Sequence, residues 1–330
     1  NDFQFKDSDN NVMGQKIIPL DSVGIYIPGG RALYPSTIYM TIIPAIIAGV
    51  KRIVVFSPPR TFTESKEACF LLSELGINEI YRIGGAQAIL SAAIGLPNLP
   101  KVDKVVGPGN IFVATAKKLV YGKVDIDMIA GPSEILVIAD TNKECDIKLI
   151  AADLLSQAEH DPLARAILIG FDKTFLMKIE KECYKMAESL PENLKNNAIA
   201  SLNNRGTIVA CKNISDIIDI SNELASEHLE IFSDNPYPIF EKIKNAGSVF
   251  LGKWTPECVG DYLGGPNHVL PTSRTAKFFS PLGVYDFQKR VSYIEFNKKS
   301  LEKYMPHISN IAHFENLIAH ARSSEIRFEE

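Results

Sequence analysis

Short β-prone runs alternate with helical stretches through Gly- and Pro-rich turns along the first half of the chain, and few folds accept that alternation. Residues 23–28 read as a strand, with Gly29-Gly30 as the turn that follows and 36–48 as a helix. Residues 52–56 read as a second strand, stopped by Ser57-Pro58-Pro59, before a helix over 63–75. A strand over 79–83 leads into Gly84-Gly85 and a helix over 86–93. A strand over 104–106 leads into Gly107-Pro108-Gly109-Asn110 and a helix over 111–120. Strands alternating with helices through short turns imply βαβ units and a mainly parallel sheet.

The second half repeats the habit less regularly. Residues 134–139, 166–169, 207–210, 229–232 and 248–251 read as strands, and 145–159 and 175–189 as long helices. After Pro281 the pattern changes: 301–309 and 311–323 read as helical, with little left to build a sheet. The fold class is therefore α/β, with two Rossmann-like domains of mainly parallel sheet and a C-terminal helical tail. The expected segments are a lead-in over 1–20, a first domain over 21–133, a second over 134–282 and the tail over 283–330. A chain of 330 residues is long enough for two such cores.

Charge and cysteine usage exclude several classes. Lys plus Arg number 35 against 39 acidic residues, a net charge of −4, without the concentrated basic surface that marks a nucleic-acid partner. The apolar stretch over 42–50 is too short to span a bilayer, and residues 1–16 are too polar for a signal peptide. Five scattered cysteines have no metal-finger or redox-motif spacing, which fits reduced thiols in the cytoplasm. The chain starts at Asn1 without an initiator Met, as a processed, trimmed or renumbered chain would.

None of the Gly-rich turns fits the dinucleotide fingerprint, and no phosphate-loop lysine motif occurs. Each could still bare backbone N–H groups to a phosphate, although glycine is equally the ordinary residue of a sharp turn. Four of the six histidines keep acid or amide company: Gln157 with His160, Glu227 with His228, Asp261 with His268, and Glu315 with His320. Such donors bind zinc and move protons. Gln157 and His160, three apart near a helix end, would share a face, although a polar helix end explains them as well. Glu227 and His228 just before a strand suit proton transfer, or else an exposed loop pair. Asp261 and His268 bracket a Gly-Gly-Pro turn. His307 and His313 lack such company and read as surface residues.

Seven ordered blocks carry a more specific signal: Tyr26-Ile27-Pro28-Gly29-Gly30, Gly84-Gly85-Ala86-Gln87-Ala88, Gly107-Pro108-Gly109-Asn110, Ala130-Gly131-Pro132-Ser133-Glu134, Ser156-Gln157-Ala158-Glu159-His160, Ser226-Glu227-His228-Leu229 and Asn267-His268-Val269-Leu270-Pro271-Thr272. Together they resemble the histidinol dehydrogenase family, from about Pro19 to Arg327. The resemblance implies an NAD-dependent enzyme with one zinc per subunit, oxidising L-histidinol to L-histidine through histidinal. Carried over by motif, the zinc ligands would be Gln157, His160, Asp261 and His320. His228 would be the general base of both oxidations, and Glu227 would activate the water that adds to the aldehyde. Ser133, His268 and Glu315 would contact substrate beside the metal and catalytic groups. Tyr26, Gln87 and Asn110 would line the NAD site.

The resemblance also implies a cytoplasmic homodimer whose C-terminal tail crosses to the partner, so that Glu315 and His320 complete the neighbouring site. The family normally carries a substantial helical segment before the first block, and only a short lead-in stands here, as in a truncated chain. Rival readings are a dehydrogenase for another amino alcohol, a Cys258-dependent aldehyde dehydrogenase, and a metal- or nucleotide-binding module without turnover.

Overall fold

The computed structural model describes residues 2–29 and 35–329, so Gly30 of the first expected turn lies outside the described residues. The chain divides into two compact units, one made of Leu20–Phe287 and the other of Asn1–Pro19 with Gln288–Glu330.

The larger unit holds two five-stranded parallel sheets of the same topology. In each, the strand first in sequence is central, the next two lie to one side of it and the last two to the other. The first sheet runs Glu79–Tyr81, Arg52–Phe56, Ser22–Tyr26, Lys104–Val106, Asp125–Ile126. The second runs Thr207–Ala210, Arg165–Gly170, Glu134–Asp140, His228–Ser233, Ser248–Leu251. Helices joining parallel strands must cover both faces, and the central strands are accordingly buried along nearly their whole length. Their β-branched residues supply the cores: Val23, Ile25 and Val55 with Ile38 and Ile42 in one, Ile135 and Val137 with Ile150 and Leu154 in another.

Several expected helices shift for local reasons. The helix expected over 63–75 is two, Pro59–Glu64 and Lys66–Glu74, because the Ser65 hydroxyl turns back to accept from the Ala68 N–H and caps a new start. The helix Ile147–Ala158 stops before His160, whose N–H bonds the Gln157 carbonyl in a closing turn. Gln157 and His160 therefore do not share a helical face as their spacing suggested. Four helices of the second half, Glu192–Arg205, Ile214–Leu224, Tyr237–Phe240 and Glu257–Tyr262, lie outside the sequence expectation.

The smaller unit corrects the expectation of a purely helical tail. Gln288–Glu295 is a strand, and it pairs antiparallel with Val12–Pro19, which pairs in turn with Phe3–Lys6. Polar side chains tie the same segments together: the buried Asn11 amide donates to Ser300 Oγ at 2.6 Å, and Tyr304 donates to Asp9 at 2.6 Å. The helices Lys298–Phe314 and Ile318–Glu325 follow. Glu315 caps the end of the first and His320 lies on the second, so they do not share one helix as the sequence suggested.

Candidate active site

The amino ends of the two neighbouring strands Glu134–Asp140 and His228–Ser233 carry a buried polar cluster. His228 opens its strand opposite Ile135, and Glu227 stands just before it. Open α/β sheets usually gather ligands at the carboxyl ends of their strands, so this cluster sits at the unusual edge. The first sheet keeps the usual arrangement: Tyr26 ends its central strand, the turn beginning at Gly107 follows the adjacent strand Lys104–Val106, and the turn beginning at Gly84 follows the edge strand Glu79–Tyr81.

His228 is buried among acceptors. Its Nδ1 lies 3.2 Å from the Glu134 carbonyl oxygen and 3.3 Å from Glu257 Oε1. A carbonyl only accepts, so Nδ1 carries the proton and Nε2 the lone pair. Nε2 is buried and has no hydrogen-bond partner among the described residues. Burial is the main reason its pKa falls to about 3, so the imidazole is neutral near neutral pH.

Glu227 accepts from the Glu134 N–H at 2.9 Å, and its carboxylate stands 4.0 Å from His228 Nδ1. Burial drives its pKa well above the ordinary value, with that N–H opposing. The Glu134 carboxylate is itself fixed, accepting from Arg165 at 3.1 Å and from the Ser273 N–H at 3.2 Å.

The loop after the helix Glu257–Tyr262 closes the site. Its residues Val269 and Leu282 pack into the core of the first sheet, and Asn267 donates to the Met40 carbonyl at 2.5 Å. That anchorage brings His268 Nδ1 to 3.9 Å from Asp261 Oδ1. A narrow cleft lies there, lined by His228, Phe250, Asp261, Asn267 and His268 among others. Burial raises the pKa of Asp261, and the charges of His268 and His160 oppose that rise.

Among the described residues no three His, Cys, Asp or Glu side chains form a ready metal cluster. The donor chemistry nevertheless fits a zinc ion. His160 Nδ1 lies 2.8 Å from the Ser156 carbonyl oxygen, which leaves Nε2 as the ligand nitrogen in the manner of metal-bound histidines. The buried Gln157 amide has its nitrogen turned toward Glu257 Oε1 at 2.7 Å, so its oxygen occupies the opposite corner. Asp261 supplies a carboxylate. His320 is exposed and belongs to the smaller unit, as does Glu315.

The expected NAD residues sit at the carboxyl edge of the first sheet. The Tyr26 hydroxyl accepts from the Gly85 N–H at 3.0 Å. Gln87 is exposed in the first turn of Gly85–Ile94, a helix whose start has no side-chain cap. The oxygen of Asn110 caps Ile111–Val120 by accepting from Phe112 and Val113, so its amide nitrogen is the group left for a ligand. Ser133 is half-buried just before the second sheet's central strand.

Glu257 was missed by sequence reasoning. The signal was its spacing of four from Asp261, which places both acids on one helical face. The second missed pair is Asp153 and Glu230, where burial and the neighbouring Asp153 raise Glu230 well above its ordinary pKa and Asp153 accepts its hydrogen bond.

Comparison with known proteins agrees with this architecture. The family model for histidinol dehydrogenase matches residues 1–328. Histidinol dehydrogenase of Listeria monocytogenes is 51% identical over 328 residues, covering 99% of this chain and 76% of that protein. The Bacillus cereus enzyme is 50% identical over 323 residues, covering 98% and 74%. The crystal structure of histidinol dehydrogenase from Elizabethkingia anophelis superposes with a TM-score of 0.92 at 36% identity, covering 99% of this chain and 75% of that one. A match along nearly the whole chain, together with a shared fold at this level of identity, places the protein in the histidinol dehydrogenase family.

Proposed function

We propose that the chain catalyses the four-electron oxidation of L-histidinol to L-histidine at the end of histidine biosynthesis, passing two hydrides to NAD through histidinal. The observation that carries this reading is the buried, neutral His228, with Nδ1 held by the Glu134 carbonyl and Nε2 without a hydrogen-bond partner among the described residues, beside a narrow cleft. In the first oxidation Nε2 takes the hydroxyl proton while the carbinol carbon gives its hydride to the nicotinamide, and the C–O bond becomes a carbonyl. Glu227 then takes a proton from the water that adds to the aldehyde while His228 returns its proton to the carbonyl oxygen, which completes the hydrate and frees Nε2 again. His228 takes one hydroxyl proton of the hydrate as the second hydride leaves for a second NAD, and the acid so formed releases its remaining proton to give the carboxylate.

Zinc, one per subunit, would be held by Gln157, His160, Asp261 and His320 and would fix the imidazole and amine of the substrate. The same four side chains, with Ser133, Glu227, His228, His268 and Glu315, would form the substrate site. Held reactants can recover roughly 7–11 kcal/mol of a barrier in the best cases. Tyr26, Gln87 and Asn110 would hold NAD at the edge of the first sheet. The active form would be a cytoplasmic homodimer in which Glu315 and His320 of one copy complete the site of the other.

Cys258 does not suit a thiolate route: although the residue is exposed, partial desolvation and the neighbouring acids Asp153, Asp261 and Glu257 raise the pKa of its thiol, opposite to what a nucleophile needs. Among the described residues no helix is long and apolar enough to cross a membrane. The test is NADH formation on mixing the metal-loaded chain with L-histidinol and NAD. Two NADH per histidinol consumed is the expected yield. Binding of zinc and NAD without turnover would instead identify a non-catalytic relative, and a preference for another amino alcohol would reassign the substrate.

A further inference from the structure

A glutamine amide has two nearly isosteric ends of opposite use to a cation. The oxygen can ligate a metal, whereas the NH2 group only donates hydrogen bonds. Rotation about the last side-chain torsion is soft and roughly two-fold. A Gln ligand therefore needs something to choose its face.

In this chain the chooser is visible. The inner end of the Gln157 amide lies 2.7 Å from Glu257 Oε1, 3.2 Å from Glu257 Oε2 and 3.0 Å from His228 Nδ1, while the opposite corner faces only donors. An oxygen placed inward would accept from the His228 Nδ1–H at 3.0 Å but would stand against both Glu257 carboxylate oxygens, and a nitrogen placed outward would meet other donors, so the two contacts with Glu257 outweigh the one with His228. With the nitrogen inward, Glu257 accepts its hydrogen bond and the oxygen turns to the electropositive side. Both residues are almost fully buried, 1% exposed for Gln157 and 2% for Glu257, so water cannot substitute for either partner. Ser156 Oγ, 3.5 Å from Glu257 Oε2, gives the carboxylate a further neighbour from the helix that carries Gln157.

Building on the reading of Gln157 as a metal ligand, we infer that Glu257 is the positioning residue that locks the Gln157 amide with its oxygen toward the metal. Its role needs an acceptor at that point more than it needs a charge. Glu257→Gln can still offer an amide oxygen to Gln157, whereas Glu257→Leu removes the acceptor in a side chain of similar bulk.

The experiment is Co(II) binding to the metal-free full chain, followed by visible absorption and by chelator competition, with thermal unfolding of each metal-free variant measured alongside. Glu257→Leu should lose roughly 10–100-fold in Co(II) affinity, the usual cost of removing a group that orients a ligand, and its spectrum should change. Glu257→Gln should stay within a few-fold of the parent chain and keep the parent spectrum. Wild-type affinity and spectrum in Glu257→Leu, whatever its unfolding temperature, would overturn the inference. Should Glu257→Leu not fold, Glu257→Asp withdraws the carboxylate by one methylene while keeping its charge. A loss of about ten-fold is then expected, within the same range, and unchanged affinity overturns the inference. Gln157→Ala separates the two readings. If it weakens Co(II) while the Glu257 variants do not, Gln157 is a ligand that positions itself. If it leaves Co(II) untouched, the ligand reading falls and the inference falls with it.

Discussion

At the scale of single residues, the site separates two acid–base roles by burial. His228 is held neutral because burial lowers its pKa to about 3, whereas burial moves the Glu227 carboxyl well above its ordinary value. A base must be unprotonated to act. Above pH of about 3 His228 already is. Glu227 becomes so only as pH rises through its raised pKa. Oxidation of histidinal supplied as substrate should therefore speed up with rising pH over a range above the usual carboxylate titration, and oxidation of histidinol should lack that limb. Glu227→Gln should abolish the limb and slow the aldehyde step by roughly 10²–10⁴-fold, with a smaller effect on the alcohol step. His228→Asn should slow both. Single-turnover rates with each substrate decide the matter, and equal slowing of both steps by Glu227→Gln would remove its water-activating role. The pairing of Glu227 with His228 was legible from their adjacency. The part played by Glu257 was not, because its meaning lies in contacts with Gln157 and His228, 100 and 29 positions away.

Among the elements, the turn after the strand Lys104–Val106 shows how a sequence cue acquires a mechanism. Gly107 donates to Asp127 at 2.7 Å, and its carbonyl accepts from Lys117 at 3.0 Å. Lys117 and Asp127 form a buried ion pair, so both backbone polar groups of Gly107 are gripped by it. The residue adopts φ +111°, and a Cβ there would lie 2.1 Å from the Tyr26 carbonyl oxygen. Gly107→Ala should therefore destabilise the chain by roughly 3 kcal/mol or more, through backbone strain and the forced separation of two strands. Denaturant unfolding measures it, and a loss under about 1 kcal/mol would mean that the turn relaxes freely. The glycine was conspicuous in sequence, but the clash that demands it comes from Tyr26, on a strand just over eighty positions earlier. Nine of the ten strands of the two parallel sheets were legible because they are short, β-branched and bounded by turns, whereas Asp125–Ile126, only two residues long, was not. Gln288–Glu295 was not, because it is exposed along most of its length and its partner lies at the other end of the chain. The helix Glu192–Arg205 was hidden by its polarity, which blurs the apolar stripe.

For the whole molecule, the proposed dimer makes a prediction that neither residue nor element can. A His320→Ala chain and a His228→Asn chain each spoil a different part of a shared site. Mixed by refolding or co-expression, half the dimers pair unlike chains, and each such pair restores one of its two sites. Activity should recover to about a quarter of the parent level, as a two-fold arrangement requires. No recovery from verified mixed dimers would confine each site to one copy. The order of the seven blocks revealed the family, but not how the ends of the chain are joined. The strand Val12–Pro19 is zipped along its length onto Gln288–Glu295, and just inside them the Leu20 N–H meets the Phe287 carbonyl at 2.9 Å. The polypeptide thus enters and leaves its larger unit at one doorway. A C-terminal arm reaching toward a neighbour would bring the opening residues along as a second strap, and clipping either end would loosen both.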